Sequence, residues 1–111
     1  MHELGITRNI VSIVSDAAGG RPVRRVSLEI GKLSGVMPDA IAFCFDVVAA
    51  GTPLAGAELD IHQIEGSGEC SVCGAEFAMP TLYTPCPCGS RSSMRVRGEE
   101  LTIKTMELEI A

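Results

Sequence analysis

Four cysteines decide most of what this chain can be: Cys70-x-x-Cys73 and Cys86-Pro87-Cys88 stand twelve residues apart, Gly74 to Pro85. Two short cysteine pairs at that separation suit two turns folded onto one ion, and four thiolates favour tetrahedral zinc. Glycine follows each pair, at Gly74 and Gly89, where the chain must turn tightly and aim backbone N–H groups at sulfur. The second pair is one residue shorter than the usual Cys-x-x-Cys. The competing readings are two disulfides, four unrelated thiols or a redox pair. The spacing favours metal over all three. With every position taken by sulfur, no site is left for a zinc-bound water, so zinc is expected to be structural and not hydrolytic.

The stretch around these cysteines has little other apolar material than Phe77, Met79, Leu82 and Tyr83, so an ion is needed to hold it. Its arginines, Arg91, Arg95 and Arg97, read first as a solvated face and second as a surface for a partner. The fifth cysteine, Cys44, lies between Phe43 and Phe45 and reads as an inert packed thiol. Bunched cysteines of odd number point to a reducing, cytoplasmic setting. Neither a membrane span nor a signal peptide is expected, since no run of about eighteen apolar residues occurs and no basic region precedes one.

Outside that stretch the pattern is α+β. Ile6, Ile10, Ile13, Val14 and Ala17 recur at helical steps from Leu4 to Ala18, and Gly19-Gly20 ends the helix. Val26, Leu28 and Ile30 alternate with Ser27 and Glu29 as in a half-buried strand. A second helix starts near Pro38, carries Ile41, Phe45 and Val48 inward, and stops at Gly51. Glu58 to His62 alternates as a second strand. Leu101 to Ile110 forms a third, with a change of phase near Thr105 that suggests a bulge. The expected fold is two helices packed on a three-stranded sheet with an inserted zinc-ribbon lobe. Residues 1–65 plus 99–111 would form the α+β domain and residues 66–98 the lobe.

The chain opens Met1-His2-Glu3. A second-position histidine can close a planar chelate from the terminal amine, backbone amide nitrogens and the imidazole, a donor set that suits Ni(II) or Cu(II). The helix that follows favours this, because its first N–H groups have no intrahelical acceptor. Glu3 is placed to meet the helix dipole or to stand beside the cation. His62 faces outward between acidic neighbours and reads as solvated, with a transient nickel ligand as the lesser reading. Asp60 and Glu58 on the same side suggest an acidic patch.

A formal charge of −5 and one tyrosine, three phenylalanines and no tryptophan argue against nucleic acid. No nucleophile–base pairing or phosphate-cradling glycine loop is present, and an enzyme is not expected.

Met1-His2-Glu3-Leu4 opening an amphipathic helix, together with the two cysteine pairs and Cys86-Pro87-Cys88-Gly89-Ser90, closely resembles the HypA/HybF family. The strand Val26 to Gly31, the turn Leu33-Ser34-Gly35-Val36 and the closing Ile103 to Glu109 look like that family's first strand, turn and last strand. The resemblance implies a nickel metallochaperone that serves [NiFe]-hydrogenase maturation and, in some members, urease. Its implied partners are a HypB-type GTPase and the hydrogenase large subunit. By the same carry-over His2, with the Met1 amine and nearby amides, would hold nickel, Glu3 would lie beside it, and Cys70, Cys73, Cys86 and Cys88 would hold zinc. The family usually places two residues inside the last cysteine pair, and this chain has only Pro87. The alternative is a zinc-ribbon module that binds protein or nucleic acid and carries no nickel. Monomer and homodimer both fit the sequence.

Overall fold

A computed structural model describes residues 2–110 of the chain. The elements run α1 (Glu3–Ala18), β1 (Val23–Gly31), α2 (Pro38–Ala49), β2 (Glu58–Ile64), β3 (Ser67–Cys70), β4 (Glu76–Ala78), β5 (Ser93–Arg97) and β6 (Leu101–Leu108). They form an α+β fold with two three-stranded sheets, ordered β2-β1-β6 and β4-β3-β5. The chain divides into two compact units. One runs to Leu28, then takes in Val36–His62 and continues from Thr102; the other comprises Glu29–Gly35 and Gln63–Leu101.

In the first unit α1 and α2 pack against each other. The buried face of α1 is Thr7, Ile10, Val11, Val14 and Ala18, while Ile13 is 57 % exposed and Ala17 is also exposed. Of the expected stripe Ile10 and Val14 are buried, and its flank is turned so that Thr7, Val11 and Ala18 go under in place of Ile6, Ile13 and Ala17. Thr7 explains the displacement. Its hydroxyl donates to the Glu3 carbonyl at 2.7 Å, which satisfies the polar atom and lets the side chain go under.

Gly19, in the left-handed conformation, ends α1 and donates its N–H to the Asp16 carbonyl at 3.1 Å. Pro38 opens α2, where its missing N–H breaks no helical bond. Ile41, Phe45 and Ala49 turn inward, as does Leu54 beyond the helix; Val26 and Leu28 of β1 alternate into the core, and Val23 is buried at the start of the strand. On β6 the partly buried positions pass from Ile103 to Met106 and Leu108, the change of phase that the sequence carries near Thr105.

The second unit is built on β3, which pairs antiparallel with β4, Gly68 opposite Phe77, and with β5, where the register shifts between Ser67 and Gly68. Its core is small: Leu33, Cys70, Phe77, Met79 and Cys86. Of the scant apolar residues in this stretch, Leu82 and Tyr83 are exposed. Leu33 takes their place, and it reaches the unit from a part of the sequence far from residues 66–98. Its N–H donates to the Gly98 carbonyl at 2.7 Å, and a neighbouring bond ties Lys32 N–H to the Ile64 carbonyl at 2.9 Å. The backbones here approach closely. A Cβ on Gly31 would lie 1.9 Å from the Gly98 carbonyl oxygen, and one on Gly98 would lie 2.7 Å from the Gly66 Cα.

Candidate metal centre

The sulfurs of Cys70, Cys73, Cys86 and Cys88 all lie within 4.8 Å of one another. Cys70 ends β3, Cys73 sits in the turn before β4, and Cys86 and Cys88 occupy the turns before β5. Between the pairs, Cys70 Sγ lies 3.7 Å from Cys88 Sγ and Cys73 Sγ lies 3.6 Å from Cys86 Sγ. A disulfide needs about 2.05 Å, and all five cysteines are free. A tetrahedral ion with sulfur at about 2.3 Å requires sulfur–sulfur edges of about 3.8 Å. The cluster fits a four-thiolate ion site, with Cys70 and Cys86 buried and Cys73 and Cys88 exposed.

The two turns serve their sulfurs unequally. Cys70 Sγ accepts the N–H groups of Val72 and Cys73, both at 3.4 Å, and the turn closes with Gly74 N–H on the Cys70 carbonyl at 3.0 Å. Cys86 Sγ accepts only the Cys88 N–H, two residues on, at 3.5 Å, because the N–H three residues on, that of Gly89, is turned to the Cys86 carbonyl. The shorter turn closes one residue earlier, with Gly89 N–H on the Cys86 carbonyl at 2.8 Å. Charge follows this asymmetry. The N–H groups of Cys73 and Val72 bring the Cys70 thiol down to about 6. For Cys86 the Cys88 N–H lowers the thiol, but burial and the surrounding thiols of Cys88, Cys73 and Cys70 leave it pushed up to about 12. Four sulfurs this close repel one another as thiolates, and a divalent cation among them relieves that repulsion.

At the other end of the sequence, His2 is the N-cap of α1. It is exposed, its side chain makes no capping bond, and its carbonyl accepts the Ile6 N–H at 3.1 Å. Met1 lies outside the described residues. Glu3 does more than face its own helix dipole: its carboxylate accepts the Met37 N–H at the cap of α2, at 3.1 Å. That bond, followed by its own backbone N–H, holds the Glu3 carboxyl below its ordinary range. Thr7 and Met37 were not legible as parts of this terminus, because a mid-helix threonine and a backbone N–H leave no signature in spacing.

His62 stands exposed on β2 with Nε2 3.0 Å from Asp60 Oδ2. The acidic patch expected beside it is partly neutralised, since Glu58 pairs with Arg25 at 2.9 Å. Cys44 is half-buried in α2. None of these three joins a cluster of metal-ligating side chains, and among the described residues the four cysteines are the one such group.

The family model for hydrogenase/urease nickel-incorporation metallochaperones, HypA, matches residues 1–108. The chain belongs to the HypA family. It is 56 % identical over 109 residues to a hydrogenase maturation factor HypA of Trichormus variabilis, covering 98 % of this chain and 96 % of that one. With the HypA of Geobacter metallireducens it shares 50 % over 110 residues, 98 % of this chain and all (100 %) of the relative. The fold matches the solution structure of the Ni metallochaperone HypA from Helicobacter pylori with a TM-score of 0.68 at 21 % identity, 97 % of each chain being covered. Nickel incorporation during hydrogenase maturation is the work of the HypA family, and no helix among the described residues is long and apolar enough to cross a membrane.

Proposed function

We propose that this HypA-family chain carries Ni(II) at its amino terminus, through the Met1 amine, backbone amide nitrogens and His2, and holds a structural Zn(II) in Cys70, Cys73, Cys86 and Cys88. The observation that carries the nickel assignment is the position of His2. As an exposed N-cap it stands beside helix N–H groups that have no intrahelical acceptor, so giving one up to a metal breaks no helical bond. Glu3 stands next to this site with its carboxylate already ionised and anchored, and serves as a neighbouring negative charge. Few protein donors and an open setting keep the cargo exchangeable, as delivery requires.

The zinc assignment is supported by four cysteine sulfurs gathered within 4.8 Å of one another. Zinc bound there supplies no chemistry beyond fixing the two turns. The chain acts as a cytoplasmic carrier and not as a catalyst. Its partners, by family resemblance, are a HypB-type GTPase and the large subunit of a [NiFe]-hydrogenase, with urease as a further recipient.

The test is a Ni(II) titration of zinc-loaded protein with its native terminus, run beside the same protein bearing one extra residue before Met1 and beside His2→Ala. A square-planar absorption band confined to the native protein is expected. It should strengthen as pH rises through about 8, where the terminal amine loses its proton. Equal binding by all three proteins would move the cargo site elsewhere, to His62 or the thiolates.

A further inference from the structure

β2 is an outer strand of the β2-β1-β6 sheet, and such a strand carries a row of N–H and C=O groups able to pair with another chain. The Ile64 carbonyl accepts the N–H of Lys32, the residue after β1, at 2.9 Å, and so points toward β1. Alternation along the strand turns the backbone groups of His62, Asp60 and Glu58 the same way and leaves those of Leu59, Ile61 and Gln63 on the free edge. The usual guards of an edge are missing here. Glu58–Ile64 holds no proline, glycine or lysine. Each carboxylate along it is paired within the chain: Glu58 with Arg25 at 2.9 Å, Asp60 with His62 at 3.0 Å, and Glu65, next after the strand, with Lys32. Leu59 and Ile61 are only half-buried.

The order of side chains selects the occupant. When β2 pairs antiparallel with itself, the register that uses the whole strand Glu58–Ile64 is centred on Ile61. It sets Ile61 opposite Ile61 as a hydrogen-bonded pair, with Leu59 opposite Gln63 on either side. Asp60 then falls opposite His62 at the non-hydrogen-bonded pairs, where side chains approach most closely. A two-fold axis makes that contact twice, so each Asp60 has one imidazole beside it and another across the seam. Centring the pair on Asp60 or on His62 sets like against like and brings backbone groups that face β1 to the seam. The net charge of −5 opposes association at long range, and physiological salt confines that repulsion to about 8 Å.

We propose that a second copy of this chain pairs along the free edge of β2, joining two three-stranded sheets into one six-stranded sheet about a two-fold axis at Ile61. The contact is isologous and closes at two copies. It is also small, so the dimer is weak and forms at about 100 μM chain. It uses neither His2 nor the four cysteines.

The experiment is sedimentation equilibrium of the zinc-loaded full chain from about 10 μM to about 1 mM, where monomer should pass to dimer. Hydrogen exchange at the Leu59, Ile61 and Gln63 amides should slow with concentration, while the Asp60 and His62 amides, already turned to β1, keep their rates. Asp60→Arg alone and His62→Asp alone should each weaken self-association about tenfold, since each removes both cross-strand pairs. Mixed in equal parts, the two variants should recover it, because the new arginine faces the new aspartate and the other Asp60–His62 contact is kept. A chain monomeric throughout, species larger than a dimer, concentration-dependent protection at Asp60 and His62 instead, substitutions without effect, or a mixture that associates no better than its parts would each overturn the proposal.

Discussion

The Glu3 carboxylate, in the first turn of α1, accepts the backbone N–H of Met37, the residue that caps α2. One acidic side chain thus satisfies an orphan donor of a different helix, and it does so from the position next to His2. The packing of the helix pair and the placement of the amino terminus are joined at this bond.

A pH dependence follows. The Glu3 carboxyl is held below 4.5 in the folded chain, so the stability it contributes is present above that value and is lost as pH falls through the folded one. Glu3→Gln should therefore melt below the wild type at pH 6, and the gap should narrow toward pH 3.5. Thermal denaturation followed by helical circular dichroism at the two pH values measures it. A gap that is constant with pH would mean that the carboxylate charge has no part in the bond.

Removal of metal should unfold one unit and spare the other. Chelation, or Cys73→Ser, is expected to collapse the amide dispersion of β3, β4 and β5 while the helical signal of α1 and α2 persists. Only three residues of this unit's core, Leu33, Phe77 and Met79, are not cysteines of the cluster, too few to offset the chain entropy of ordering it. Two-dimensional amide spectra with and without chelator give the answer.

Strand alternation in β1 and the caps at Gly19 and Pro38 were readable from sequence, because each rests on a local rule: period two, left-handed glycine, proline at a first turn. The gathering of Cys70, Cys73, Cys86 and Cys88 was readable as well, since the spacing of the two pairs is written along the chain. The rest depended on contacts between distant residues. Leu33 in the core of the second unit, Thr7 buried through its bond to Glu3, and Met37 as Glu3's partner are decided by tertiary neighbours, to which periodicity is blind. Nothing near Leu33 in the sequence marks it as belonging with Phe77 and Met79.

Gly98→Ala should be strongly destabilising. Gly98 has φ +111°, and an added Cβ would stand 2.7 Å from the Gly66 Cα, a backbone atom that cannot swing aside. Backbone strain and overpacking together should remove about 2 kcal/mol or more. Denaturant unfolding followed at a second-unit amide tests this. Gly56→Ala, also at positive φ but with open space about it, serves as the control for strain alone.

Lengthening the second cysteine turn should tighten it. A glycine inserted between Pro87 and Cys88 gives Cys86 the prospect of a second N–H donor, as Cys70 already has. A charge-assisted bond of this kind is worth enough to slow metal release to a chelator about tenfold. Release no slower than in the wild type would show that the single bond from Cys88 is sufficient.

Two of the five side chains at the heart of the second unit are sulfur donors, so its order is tied to supply. With zinc bound there, each tenfold fall in free ion above the dissociation constant removes about 1.4 kcal/mol of its stability. The order of one unit would then follow the supply of an ion other than the nickel that the HypA family incorporates.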